Sequence, residues 1–169
     1  TAPSMEATSA LMNHEGIATI LATGGNAMVK AAYSCGKPAL GVGAGNVPAY
    51  VEKSANIRQA AHDIVMSKSF DNGMVCASEQ AVIIDKEIYD EFVEEFKSYH
   101  TYFVNKKEKA LLEEFCFGAK ANSKNCAGAK LNPNIVGKPA TWIAEQAGFK
   151  VPEDTNILAA ECAEVGIKE

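Results

Sequence analysis

The 169-residue sequence carries 21 acidic against 16 basic side chains, a formal net charge of -5, with 47% hydrophobic and 22% charged residues. That composition belongs to a folded globular protein, and it offers no basic patch for nucleic acid or for an anionic membrane surface. No run of about 18 apolar residues could span a bilayer, and the N-terminus lacks the basic, apolar and small-residue order of a signal peptide, so the expected location is the cytoplasm.

In chain order, Ala7, Ala10 and Leu11 fall at helical spacing within Glu6 to His14, with Ser4 as N-cap and Gly16 just past the end. Ile17 to Ala22 is a short apolar run suited to a strand buried on both faces. Thr23-Gly24-Gly25-Asn26 follows it at once, then a helix from Ala27 to Tyr33 that ends near Gly36-Lys37-Pro38. A second strand, Ala39 to Val42, runs into the loop Gly43-Ala44-Gly45-Asn46-Val47-Pro48. After Ala49-Tyr50-Val51 comes a helix from about Asn56 to Met66, with Ile57, Ala60, Ala61, Ile64 and Val65 on one face. Strand and helix alternating at this spacing predict parallel β-α-β units.

The chain leaves that helix around Ser67-Lys68-Ser69, where a boundary is expected between a lobe of residues 1–66 and a lobe of residues 67–169. Beyond it, Ala81 to Ile84 reads as a buried strand, and Asp85 opens an amphipathic helix whose Ile88, Phe92 and Phe96 form a core stripe. Lys106 to Phe115 reads as a charged helix, Gly118 to Asn134 as an irregular connection, Pro139 to Ala147 as a helix stopped by Gly148, and Thr155 to Ala160 as a strand. The chain opens on Thr1-Ala2-Pro3 and stops at Glu169, with Val165-Gly166 as a turn into something further. The expectation is a piece of a longer polypeptide.

Chemistry concentrates in Ser69-Phe70-Asp71-Asn72-Gly73-Met74-Val75-Cys76-Ala77-Ser78-Glu79-Gln80. The turn signal Asn72-Gly73 precedes a cysteine that opens a small, polar segment at the edge of a strand, where a scaffold can hold a reactive group rigidly. A buried structural cysteine is the alternative, since free cysteine is among the most buried residue types. Cys35, Cys116, Cys126 and Cys162 carry that plainer reading. The five cysteines are odd in number, with neither C-x-x-C spacing nor histidine at ligand distance, which argues against a disulfide framework and a structural metal. His14, His62 and His100 show no triad spacing and read as surface or satisfied histidines.

A strand followed at once by Thr23-Gly24-Gly25 and a helix can present backbone N–H groups to a phosphate or ribose. It also serves as a packing device, and the G-x-G-x-x-G fingerprint is absent. The second loop, Gly41 to Gly45, lies one β-α unit further on and would open at the same strand-end crevice.

Taken together, Ile20 to Gly25, Gly41 to Pro48, Ser69 to Gln80 and Ile88-Tyr89-Asp90-Glu91-Phe92 resemble the aldehyde dehydrogenase superfamily. The wording is most similar to its CoA-acylating branch, in particular the aldehyde dehydrogenase half of bifunctional aldehyde-alcohol dehydrogenases. The resemblance implies an α/β parallel-sheet fold, partial here, spanning the end of an NAD-binding domain (1–66) and the start of a catalytic domain (67–169). It implies Cys76 as nucleophile, Thr23, Gly24 and Gly25 against the cofactor, Val42 and Gly43 toward the nicotinamide, and no metal. The cofactor would be NAD, with coenzyme A as co-substrate and a small aldehyde or acyl-CoA as partner, in a full-length homo-oligomer or filament. Hydrolytic members carry a glutamate at the start of the second glycine motif to activate water, and Gly41 stands there instead; without that base a thiol acceptor is favoured. A hydrolytic or phosphate-reducing relative, or a non-catalytic assembly fragment, are the competing readings. The isolated piece is expected to be inactive.

Overall fold

The computed structural model describes residues 3–43, 45–118 and 130–162. The chain divides into two compact units, residues 1–46 and residues 47–169. The division falls at Asn46/Val47, whereas the sequence places a lobe boundary at residue 67.

The first unit is a helix followed by one β-α-β crossover: α1 (Met5–Asn13), β1 (Ile20–Thr23), α2 (Asn26–Ser34) and β2 (Ala39–Val42). Ser4 caps α1, its side chain accepting from the Ala7 N–H at 3.0 Å, as the spacing predicts. β1 and β2 pair in parallel, with Thr23 opposite Val42, and parallel strands need the crossover that α2 supplies. Ile20, Ala22 and Ala32 form a small core. The strand expected to be buried on both faces is buried on one. Ile20 and Ala22 point inward while Leu21 is 78% exposed, and Leu40 on β2 is 65% exposed.

The second unit repeats the parallel crossover twice. β3 (Pro48–Val51), α3 (Ile57–Ser69) and β4 (Ala81–Ile84) make one. After α4 (Tyr89–Ser98), β5 (Thr101–Phe103) pairs in parallel with β6 (Ile157–Ala159), and α5 (Lys106–Phe117) and α6 (Ala140–Ala147) lie between them in sequence. Val51, Ala61, Ile64, Val65, Phe92 and Phe96 share one core, so the apolar faces read from α3 and α4 pack on each other. Phe92 and Phe96, one helical turn apart, lie with ring centroids 4.7 Å apart. Residues Lys86–Ile88 form a 3-10 turn, so α4 proper starts at Tyr89. An Asn105–Glu108 capping box starts α5, and Gly148 ends α6 in the left-handed region. Much of the predicted irregular connection lies outside the described residues.

Candidate active site

Between α3 and β4 the chain makes two tight turns. Asp71 and Asn72 adopt φ 51° and Gly73 φ 76°, a left-handed run that Asn, Asp and Gly tolerate best. The Asn72 amide donates to the Gly137 carbonyl at 3.0 Å and so ties the first turn to the segment before α6. The second turn is closed by Ser78, whose N–H donates to the Val75 carbonyl at 3.0 Å. Cys76 and Ala77 are its two central residues, and Cys76 is exposed. Ser78 is 1% exposed; its hydroxyl donates to the same Val75 carbonyl at 2.7 Å and accepts from the Lys68 ammonium at 3.4 Å. A buried serine thus fastens the turn that displays the thiol. The stretch then joins β4, where Gln80 and Val47 exchange hydrogen bonds.

At the end of β4, Asp85 accepts from the Tyr50 hydroxyl at 2.7 Å and the Lys53 N–H at 2.9 Å. The Tyr50 bond and then the backbone bond hold its carboxyl below the usual range, and the same contact raises Tyr50.

In the first unit the two predicted glycine loops meet at one strand end. The Gly24 N–H donates to the Val42 carbonyl at 3.2 Å, and a β-carbon on Gly43 would lie 3.2 Å from the Asn26 Oδ1. Thr23, Gly24, Gly25, Val42 and Gly43 therefore line one short edge. Gly25 precedes α2 without a side chain to cap it, and a β-carbon there would meet nothing within 4 Å. A helix start without a side-chain cap, beside glycine backbone, fits an anionic group such as a phosphate.

The remaining candidates are held elsewhere. His14 Nδ1 accepts from the Gly16 N–H at 3.1 Å, His62 lies 3.1 Å from Asp63 and His100 2.8 Å from Asp154. Cys35 is half-buried and donates to the Ala32 carbonyl; Cys116 is buried, and burial pushes its thiol up. Cys162 is exposed, and Cys126 lies outside the described residues. Among the described residues no group of three acidic, histidine or cysteine side chains could hold a metal ion, and no helix is long and apolar enough to cross a membrane. Ser78 and Lys68 were not legible as functional residues in the sequence. Tyr33 was missed too: its hydroxyl accepts from the Gly41 N–H at 2.9 Å.

An exposed cysteine on a fastened turn and a glycine-lined strand end on β-α-β units accord with one family. The model of the aldehyde dehydrogenase family matches residues 1–130, and the chain belongs to that family. It is 94% identical over 169 residues to an aldehyde-alcohol dehydrogenase of Streptococcus pneumoniae serotype 4, covering 100% of this chain and 19% of that protein. To the bifunctional aldehyde-alcohol dehydrogenase AdhE of Escherichia coli K12 it is 48% identical over 167 residues, 99% of this chain and 18% of that one. The crystal structure of an acetylating aldehyde dehydrogenase from Geobacillus thermoglucosidasius superimposes with a TM-score of 0.86 at 48% identity, over 98% of this chain and 35% of that chain. The chain spans about a fifth of the length of the curated relatives it matches most fully.

Proposed function

We propose that the chain is a segment of an NAD-linked, CoA-acylating aldehyde dehydrogenase in which Cys76 is the nucleophile. The observation that carries this reading is Cys76 itself, exposed at the centre of a turn held by the buried Ser78, in a chain of this family that has glycine at position 41. The Cys76 thiolate attacks the aldehyde carbonyl carbon, a C–S bond forms, and the carbonyl π electrons move to oxygen; the adduct is the alkoxide of a thiohemiacetal. Nicotinamide dinucleotide, when bound, supplies the hydride acceptor that turns this adduct into a thioester. The thiol of coenzyme A then takes the acyl group and Cys76 leaves as a thiolate. Thr23, Gly24 and Gly25 at the start of α2 would hold the nucleotide, with Val42 and Gly43 toward its nicotinamide end.

Relatives support each part. A solved propionaldehyde dehydrogenase of Rhodopseudomonas palustris, 35% identical with a TM-score of 0.82, carries bound CoA and an acylated cysteine. An engineered glycolyl-CoA reductase, 36% identical with the same score, holds NADP+; NAD is the nucleotide proposed here. The exposed outer faces of β1 and β2 are proposed to be covered by the rest of the full-length enzyme, which works in the cytoplasm as a homo-oligomer or filament. Its division into a nucleotide-binding lobe through residue 66 and a catalytic lobe from residue 67 belongs to the same proposal. A first nick by a nonspecific protease within residues 66–70 supports that boundary; a first nick at 43–47, where the compact units divide, overturns it.

The test of the activity is NADH formation from acetaldehyde by the full-length enzyme, with and without coenzyme A, beside its Cys76→Ser variant. Activity that requires both coenzyme A and Cys76 supports the reading. Equal NADH formation without coenzyme A makes water the acceptor and the enzyme a hydrolytic relative.

A further inference from the structure

The loop that carries Cys76 needs support from outside itself. Asp71 and Asn72 both sit at φ 51° and Gly73 at φ 76°, and left-handed residues other than glycine persist only where their surroundings fix them. The Met74 N–H closes this turn on the Asp71 carbonyl at 3.2 Å. The outside contact comes from Gly137, 65 residues beyond Asn72, whose carbonyl accepts from the Asn72 amide at 3.0 Å. Gly137 is itself left-handed, at φ 71°, and a β-carbon there would lie 2.7 Å from the Met74 Sδ. The residues on either side of Gly73 thus close on one glycine, where both conformation and space exclude a side chain.

Gly137 belongs to a segment fastened at both ends. At one end the Asn132 N–H donates to the Cys116 carbonyl at 2.8 Å and its amide to the Phe115 carbonyl at 3.2 Å. Both are carbonyls that the last turn of α5 leaves without helical partners. The Asn132 Oδ1 accepts from the Asn134 N–H at 3.1 Å and opens the 3-10 turn Pro133–Ile135. At the other end the Lys138 ammonium lies 5.3 Å from the Trp142 ring centroid. Trp142 on α6 in turn packs against Phe115 on α5, their centroids 6.3 Å apart. Two helices therefore carry a short strap, and its Gly137 rests on the nucleophile loop.

We propose that the strap of residues 132–138 is a positioning element of the acylation step, in which Gly137, through Asn72 and Met74, sets the turn from which the Cys76 thiolate attacks. The inference rests on the acylating reading above and deepens it. Attack on a carbonyl carbon needs the sulfur held along one direction, and Cys76 lies two residues past Met74, at the centre of the next turn. Ser78 secures that turn on the side of β4, and the strap secures the turn before it. Asn72, Met74 and Gly137 are positioning residues that act through the loop.

The test follows single-turnover acylation of the full-length enzyme by acetyl-CoA alone, in which the Cys76 thiolate forms the new C–S bond and coenzyme A leaves as its thiolate. Asn72→Gly keeps a residue that tolerates the left-handed turn and removes only the amide. It slows the maximal acylation rate about fivefold, the scale of one neutral hydrogen bond spent on holding the turn. The acetyl-CoA concentration giving half that rate stays at the parent value, because the strap acts on the thiol. Gly137→Ala slows acylation about tenfold, the scale of an alanine forced into the left-handed region. The double variant is no slower than Gly137→Ala, since the two residues act through one contact. A parent-level rate in Asn72→Gly overturns the proposal even where its thermal midpoint falls, and so does a loss confined to the half-saturating concentration. Multiplied losses in the double variant overturn it as well; should Gly137→Ala fail to fold, Asn72→Gly decides alone. A parent that acetyl-CoA does not acylate at Cys76 refutes the acylating reading instead.

Discussion

Ser78→Ala removes a single oxygen from beneath the thiol-bearing turn, and its effect can be worked from the contacts it breaks. The Val75 carbonyl loses one of two donors, the hydroxyl at 2.7 Å, and keeps the Ser78 N–H at 3.0 Å. A neutral buried hydrogen bond is worth about 1 kcal/mol. The Lys68 ammonium also loses its acceptor at 3.4 Å; a long contact of a half-exposed charge contributes about 0.5 kcal/mol. The sum, about 1.5 kcal/mol, is close to a factor of ten in rate if it is spent on holding Cys76 in its reacting geometry. The expected result in the full-length enzyme is a kcat/KM for aldehyde about tenfold lower, with Cys76 still alkylated stoichiometrically by iodoacetamide because the thiol is untouched. Lys68→Met, which breaks only the weaker contact, should cost less. Parent-level kcat/KM in Ser78→Ala together with a larger loss in Lys68→Met would refute the reasoning.

Phe92, 1% exposed against Phe96, predicts that Phe92→Ala destabilises the second unit by about 3–5 kcal/mol, seen as a lower urea midpoint at an unchanged m-value; a change below about 1 kcal/mol would mean the core is not the shared one of α3 and α4. Asp85 has its folded pKa held below the unfolded value, so its contribution to stability is present above about pH 4 and is lost as pH falls through the folded pKa. Thermal midpoints measured downward from pH 6 should therefore fall more steeply in the parent than in Asp85→Asn, and parallel curves would contradict the assignment.

Much of this architecture was legible because its signals are local. The Ser4 cap, the four-residue spacing of Phe92 and Phe96, and Asn72-Gly73 before Cys76 each act within a turn of chain, and each appears where the pattern puts it. β5 was missed because Thr101–Phe103 is only three residues long and gains its identity from pairing with Ile157–Ala159, far along the chain. The run Ile17 to Ala22 carries apolar residues for two faces, yet among the described residues only one face of β1 finds a cover. At the site, the glycine loops were visible as composition, but the reason for Gly41 was not. A β-carbon there would lie 2.6 Å from Val29 Cγ1 and 2.7 Å from Tyr33 Cε2 once α2 has crossed over β1, which no spacing rule states. The support of Ser78 by Lys68 likewise joins a helix end to a loop across residues that carry no periodic signal.

The most direct test of Cys76 as nucleophile needs no nucleotide. Incubating the full-length enzyme with acetyl-CoA alone lets the Cys76 thiolate attack the thioester carbonyl and release coenzyme A, leaving one acetyl group on the protein. Peptide mass spectrometry should find that acetyl on Cys76, sensitive to neutral hydroxylamine as a thioester is, and absent from Cys76→Ala. Acetylation at another residue, or equal labelling of the Cys76→Ala variant, would contradict the assignment and the mechanism built on it.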